Sequence, residues 1–201
     1  MINKGIILGS NDRAALETIR ILGSSNHIVD NIYFSEKTIC NYSRYLNDSF
    51  FLGDPENNYI FFLQNLISFL RENNYNYLVP INDIANEIIF NNYNRISKLT
   101  YIAATSKSSY LLCHSKYKSL SIAKKCGFKV PKTNYVKSIN ELDDRKFKNY
   151  PLFSKPEFSV IFSNGFLNRT SVRKVNNLSE LKINVRENIL NYQKLIKEKE
   201  N

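Results

Sequence analysis

Tryptophan is absent from the 201 residues, methionine occurs once, and there are six glycines, five prolines, three cysteines and two histidines. Cys40, Cys113 and Cys126 are odd in number and form no C-x-x-C pair, so neither a disulfide framework nor a zinc site is indicated. The scarce glycines do not assemble a phosphate turn. Gly5 and Gly9 flank the first apolar run without making G-x-G-x-x-G, and no Walker loop is present. His27 and His114 have no carboxylates at catalytic or metal spacing and read as surface or packing residues. Cys113 and His114 are adjacent, which points their side chains apart on a helix and argues against a nucleophile–base pair. Long apolar runs are missing too. Tyr59-Ile60-Phe61-Phe62-Leu63 is far too short to span a bilayer. Ile6-Ile7-Leu8 runs at once into Gly9-Ser10-Asn11-Asp12, a buried strand entering a loop and not the core of a signal peptide. A cytoplasmic protein is expected.

Acidic side chains are the other shortage: 18 against 28 Lys and Arg, for a net charge of +10. The imbalance is confined to one half. Residues 1–100 carry 8 basic and 10 acidic side chains, whereas residues 101–201 carry 20 and 8. A basic half attracts nucleotide phosphates, nucleic acid or an anionic membrane surface. Drift toward Asn, Lys, Ile, Tyr and Phe throughout the chain explains the same charge without any ligand. Arginines and aromatics are not interleaved on one evident face, so a nucleic-acid platform is not indicated and stands only as an alternative.

What is present is strand–helix alternation. Residues 4–9, 27–34, 49–52, 77–80 and 101–103 read as short strands. Between them, residues 13–22 form a helix on Leu16, Ile19 and Leu22, with Asp12 as N-cap and Gly23 as stop. Residues 59–71 form another, with Ile60, Leu63, Ile67 and Leu70 on its stripe, and Asp83 caps a third. This order predicts a parallel, doubly wound, Rossmann-like α/β domain over 1–106. From 107 the pattern becomes a smaller α+β unit running to 201. Helices are expected at 108–113 and 116–126, a strand at 134–137, and a helix at 139–147. A strand at 152–155, a loop at 156–166, a strand at 170–175 and a closing helix at 178–199 complete it.

Two lysines stand in ordered frames. Lys116 opens a helix that ends at Gly127 and Pro131, and Lys155 closes the apolar strand Tyr150-Pro151-Leu152-Phe153-Ser154 just before Pro156. Two separated ammonium groups on ordered elements suit a polyphosphate, to which each makes a point-charge contact. With these frames, Ile7-Leu8-Gly9, the Asn41-Tyr42-Ser43-Arg44-Tyr45 element and Leu78-Val79-Pro80-Ile81-Asn82-Asp83 occur in matching order. Together the five segments resemble the ATP-grasp superfamily, in its carboxylate–amine ligase and carbamoyl-phosphate-synthase-like branch.

The resemblance implies a pre-ATP-grasp Rossmann-like domain followed by an incomplete ATP-grasp subdomain. It implies an enzyme that activates a carboxylate with ATP as an acyl phosphate, which an amine then attacks. Lys116 and Lys155 would contact the phosphates and Glu198 the exocyclic amine of adenine. The chain departs from that pattern. Ser115 stands where the family commonly has Asp, and the loop after Lys155 is bulky and apolar, with Glu157 adding a negative charge near the triphosphate. The family's magnesium carboxylates would lie beyond Asn201. The expectation is therefore a truncated ligase, inactive alone, that uses Mg2+ only when the missing part is supplied. The alternatives are a non-catalytic docking subunit that completes a partner chain, or the basic nucleic-acid binder.

Overall fold

The computed structural model describes residues 3–9, 13–36, 38–142, 147, 149–163 and 166–199, with side chains as far as residue 188 except that of residue 163. It contains two compact units: Met1–Thr105 with Gly165–Leu167, and Ser106–Asn164 with Asn168–Asn201.

In the first unit, β1 (Lys4–Leu8), β2 (Ile28–Tyr33), β3 (Ser49–Phe51), β4 (Tyr77–Pro80) and β5 (Tyr101–Ile102) form one sheet in the order β3-β2-β1-β4-β5. Every pairing is parallel, with Ile7 opposite both Asn31 and Val79. Helices α1 (Arg13–Ser24), α2 (Tyr59–Asn73), α3 (Asp83–Asn91) and α4 (Tyr93–Ile96) lie in the connections. This is the strand order of a Rossmann-like doubly wound sheet. The central strand explains it. Ile6, Ile7 and Leu8 are all fully buried, as a continuous apolar run must be when both faces of a sheet are covered. Ile7 and Val29 meet Ala15 and Ile19 of α1 and Cys40 on one side. Ile6 and Leu8 project to the other face, because side chains alternate along a strand.

Three local expectations are corrected. Helix α2 buries Tyr59, Phe62, Leu63, Leu66, Ile67 and Leu70, while Ile60 is 60% exposed; the buried stripe is centred one position further round than expected. Helix α1 does not stop at Gly23 but runs to Ser24, and the chain turns at Asn26, in the left-handed region at φ 64°. Gly23 serves a close approach instead. A Cβ there would lie 2.7 Å from Tyr45 Cβ and 2.8 Å from the Tyr45 carbonyl oxygen. The cap of α3 is Asn82, not Asp83: Asn82 has extended backbone and its side chain accepts the Ala85 amide at 2.9 Å. Its Nδ2 also donates to the Gly9 carbonyl at 3.0 Å, tying the ends of β1 and β4 together. Asp12 lies outside the described residues.

The second unit holds α5 (Lys107–His114), α6 (Lys116–Lys125), β6 (Leu152–Ser154), β7 (Val160–Ser163), β9 (Arg173–Val175) and α7 (Leu178–Lys199), while strand β8 (Phe166–Arg169) has its first two residues in the first unit and its last two in the second. Strand β6 pairs antiparallel with β9, and β7 and β8 are the two strands of a separate sheet. Leu142, Val175 and Leu181 form the buried centre, with Val136, Leu152, Leu178 and Val185 packed around them. Helix α6 ends as its sequence indicates. Gly127 takes φ 85°, its amide donates to Lys124, and the Phe128 amide reaches back to Ala123 at 3.0 Å.

The stretch 134–137 is not a strand. Its Lys137 amide donates to the Glu141 carboxylate at 3.2 Å instead of to a ladder. The helix expected over 139–147 is a short 3-10 turn, Ile139–Glu141, and residues 143–146 lie outside the described residues. The loop expected at 156–166 contains β7. The strand expected at 170–175 keeps only its last three residues, because Thr170 is folded back on the chain. Its amide donates to the Ser159 carbonyl at 2.9 Å and its hydroxyl to the Phe158 carbonyl at 2.6 Å.

Candidate phosphate-binding site

Lys116 is the first residue of α6, a position set by Ser115. The Ser115 backbone is extended and its hydroxyl oxygen accepts the Lys118 amide at 3.1 Å, the geometry of an N-cap. The hydroxyl proton goes elsewhere. Ser115 Oγ donates to Glu157 Oε1 at 2.5 Å, and Ser115 is completely buried. The other carboxylate oxygen of Glu157 accepts the Tyr135 hydroxyl at 2.7 Å. The Tyr135 ring stacks on Tyr117 of α6 with centroids 4.4 Å apart. Glu157 is therefore not a bare charge turned toward a ligand, as its place in the sequence suggests. Both of its carboxylate oxygens are engaged by hydroxyls at the start of α6 and beside it.

The main chain adds a further link. The Lys116 amide donates to the Glu157 carbonyl at 3.1 Å. The Lys116 ammonium reaches along the same segment and donates to Ser159 Oγ at 2.9 Å. Both ends of Lys116 are thus attached to residues 157–159, which follow Lys155 by two to four positions. Lys155 itself leaves β6 immediately before the buried Pro156 and is exposed. Proline fixes φ where the chain departs from the strand. The two lysine frames, far apart in the sequence, meet at this segment. Glu198 falls within the backbone of α7, and its side chain lies outside the described residues.

Chemically, the region offers the ammonium groups of Lys116 and Lys155 and the hydroxyl of Ser159, which are donors that phosphate oxygens accept. The described residues contain no cluster of three or more His, Cys, Asp or Glu side chains placed to hold a metal ion. His114 is a packing residue: its ring stacks between Tyr110 and Phe158, at 5.0 and 4.9 Å. His27 shares a 2.7 Å hydrogen bond with the Tyr77 hydroxyl. Ser115, Tyr135, Glu157 and Ser159 are the members of this arrangement that sequence reasoning did not assign. Only Ser115, immediately before a helix, carries a local signal for its role.

The fold places the chain among known structures. Its fold is similar to part of several solved enzymes. It is similar to L-amino acid ligase from Bacillus licheniformis, with TM-score 0.63, 15% identity, and coverage of 94% of this chain and 41% of that one. It is also similar to N5-carboxyaminoimidazole synthetase from Staphylococcus aureus, with TM-score 0.57, 13% identity, and coverage of 92% and 43%. The third comparison is the biotin carboxylase domain of Hydrogenobacter thermophilus 2-oxoglutarate carboxylase, a complex with MgADP, ADP and bicarbonate. There the TM-score is 0.57, the identity 15%, and the coverage 94% and 41%. The chain thus spans about two fifths of the length of each structure. No family model matches the sequence, and no curated protein does. Among the described residues, no helix is long and apolar enough to cross a membrane.

Proposed function

We propose that this chain is the nucleotide-binding portion of an ATP-dependent carboxylate–amine ligase. Lys116 and Lys155 hold the phosphates of ATP, and Glu198 meets the adenine amine. In the complete enzyme the γ-phosphoryl group passes to a carboxylate, and the acyl phosphate is consumed by an amine. The magnesium that such a transfer uses would be held by a further ATP-grasp portion, in this or another polypeptide. This chain alone binds nucleotide weakly and does not turn it over. A cytoplasmic setting follows from that chemistry.

The observation that carries this reading is the attachment of Lys116, through its amide and its ammonium, to the segment that leaves the strand at Lys155. A surface lysine unrelated to Lys155 has no reason to be tied at both its ends to the residues that follow it. The test is calorimetric titration of the 201-residue chain with ATP, together with an assay of ADP release in the presence of candidate carboxylates. Weak, saturable ATP binding without ADP release is the expected result. No binding at millimolar ATP would end the nucleotide reading, and ADP release from this chain alone would end the claim of inactivity.

A second reading is favoured by one observation. In the second unit, Phe128 and Phe153 are 69% and 66% exposed, and α6 has no buried residue. Exposed aromatic rings that gather in one patch mark a contact face, and this reading takes Phe128 and Phe153 as part of one, on a subunit that docks on a partner chain. Concentration-dependent self-association lost on Phe128→Ser would favour surface stickiness in place of a specific partner.

A further inference from the structure

We propose that Glu157 is a positioning residue for Lys116. Its carboxylate clamps the start of α6 to the loop that leaves β6, and so sets where the Lys116 ammonium sits. The inference rests on the reading of Lys116 as a phosphate ligand, and adds to it a residue with no such role in the sequence reading.

Glu157 makes three contacts that converge on one helical turn. Oε1 accepts from the buried Ser115 hydroxyl at 2.5 Å, Oε2 accepts from Tyr135 at 2.7 Å, and the carbonyl accepts the Lys116 amide at 3.1 Å. The first fixes the N-cap itself, because the same Ser115 oxygen receives the Lys118 amide. The second reaches the next residue of the turn, because the Tyr135 ring lies against Tyr117. The third fixes the backbone of Lys116. A carboxylate accepting two hydroxyl hydrogens is held in one orientation, and the helix start is held with it. Removing the charge while keeping the shape therefore loosens the turn without creating a cavity. The Lys116 ammonium, which donates to Ser159 two residues beyond Glu157, loses its fixed aim.

The experiment uses the full chain and three variants: Glu157→Gln, Lys116→Ala and the double substitution. ATP affinity is measured by calorimetry. Glu157→Gln is expected to weaken ATP binding by up to about tenfold, the limit set by losing the charge-assisted contact of Lys116 with phosphate. In the Lys116→Ala background the same change is expected to have no further effect, because Glu157 acts through Lys116. Independent factors that multiply in the double variant would overturn the proposal. A second readout needs no nucleotide. Acetylation of Lys116 by a water-soluble acyl ester, followed by mass spectrometry with Lys155 as internal reference, is expected to accelerate several-fold in Glu157→Gln. An unchanged Lys116-to-Lys155 ratio would also overturn the proposal. If Lys116→Ala leaves ATP affinity unaltered, the nucleotide reading fails by itself, and the acetylation ratio still decides the clamp. Tyr135→Phe removes one donor only, and serves in the same two assays should Glu157→Gln not fold.

Discussion

Replacing Ser115 by alanine removes one oxygen atom that has two jobs, and the cost follows from both. As a cap, the hydroxyl satisfies the Lys118 amide; losing a serine cap costs about 1 kcal/mol. As a donor, it supplies one of the two hydroxyl contacts to the Glu157 carboxylate, and a hydrogen bond to a charged group contributes about 1.5–3 kcal/mol. Ser115 is fully buried, so water does not readily take its place at either partner. The two effects share one atom and are not additive, which places the expected loss near 2 kcal/mol, about a thirtyfold change in a local opening equilibrium. The chain has two compact units, so a single global unfolding curve is a poor gauge. Hydrogen exchange at individual amides is the suitable assay. The Lys118 amide should exchange about thirtyfold faster in Ser115→Ala, while amides of β1 and β4 in the other unit keep their rates. A Lys118 rate within threefold of wild type would refute the assignment of this hydroxyl as the pin of α6. Ser115→Thr keeps an oxygen at the same place and should retain most of the protection.

Three further outcomes follow from the described geometry. Lys155→Ala is expected to lower ATP affinity about tenfold with no change in thermal stability, because the side chain is exposed; calorimetry with a melting curve checks both halves. Gly23→Ala gains about 1 kcal/mol of helix propensity but sets a methyl group against the Tyr45 backbone oxygen. That atom cannot swing aside, so a net loss of about 1–2 kcal/mol, read from hydrogen exchange at the amides of β1, is expected, and a stabilised variant would contradict the close approach. Tyr75 donates to the nearly fully buried Asp30 carboxylate, and burial together with that carboxylate pushes its phenol pKa well above 10.0. The unfolded chain then loses this proton near pH 10 while the folded chain keeps it, so stability falls as pH rises above that point. Tyr75→Phe should flatten the alkaline slope while lowering stability near neutrality by about 1–3 kcal/mol, since Asp30 loses a donor.

The sheet was legible because its cause is local. Ile6-Ile7-Leu8 is a run that suits a strand covered on both sides, Tyr77-Leu78-Val79-Pro80 is a short apolar run that fits beside it, and strands separated by helices are expected to be parallel. Errors arose where a side chain far away decided the outcome. Gly23 looks like a helix stop until Tyr45 is laid against it, and Asn82 outcompetes Asp83 as a cap because its amide also reaches Gly9. The stretch 134–137 has strand-like composition, yet Tyr135 is drawn to Glu157 and the Lys137 amide to Glu141. For the candidate site, the sequence pointed to the two lysines and left their surroundings dark. Glu157 is 42 residues from Ser115, and no periodicity connects them. Read alone, it is one more carboxylate next to a proline.

The position of β1 in the middle of its sheet governs the order in which a ribosome can complete it. Its first neighbour, β2, is available once residue 33 has emerged, but its other edge has no partner until residues 77–80 follow. Across that interval of synthesis, a largely apolar strand displays one unpaired row of amides and carbonyls. Nascent chains stalled between those points are therefore the form of this protein most prone to stick to one another or to call on a chaperone.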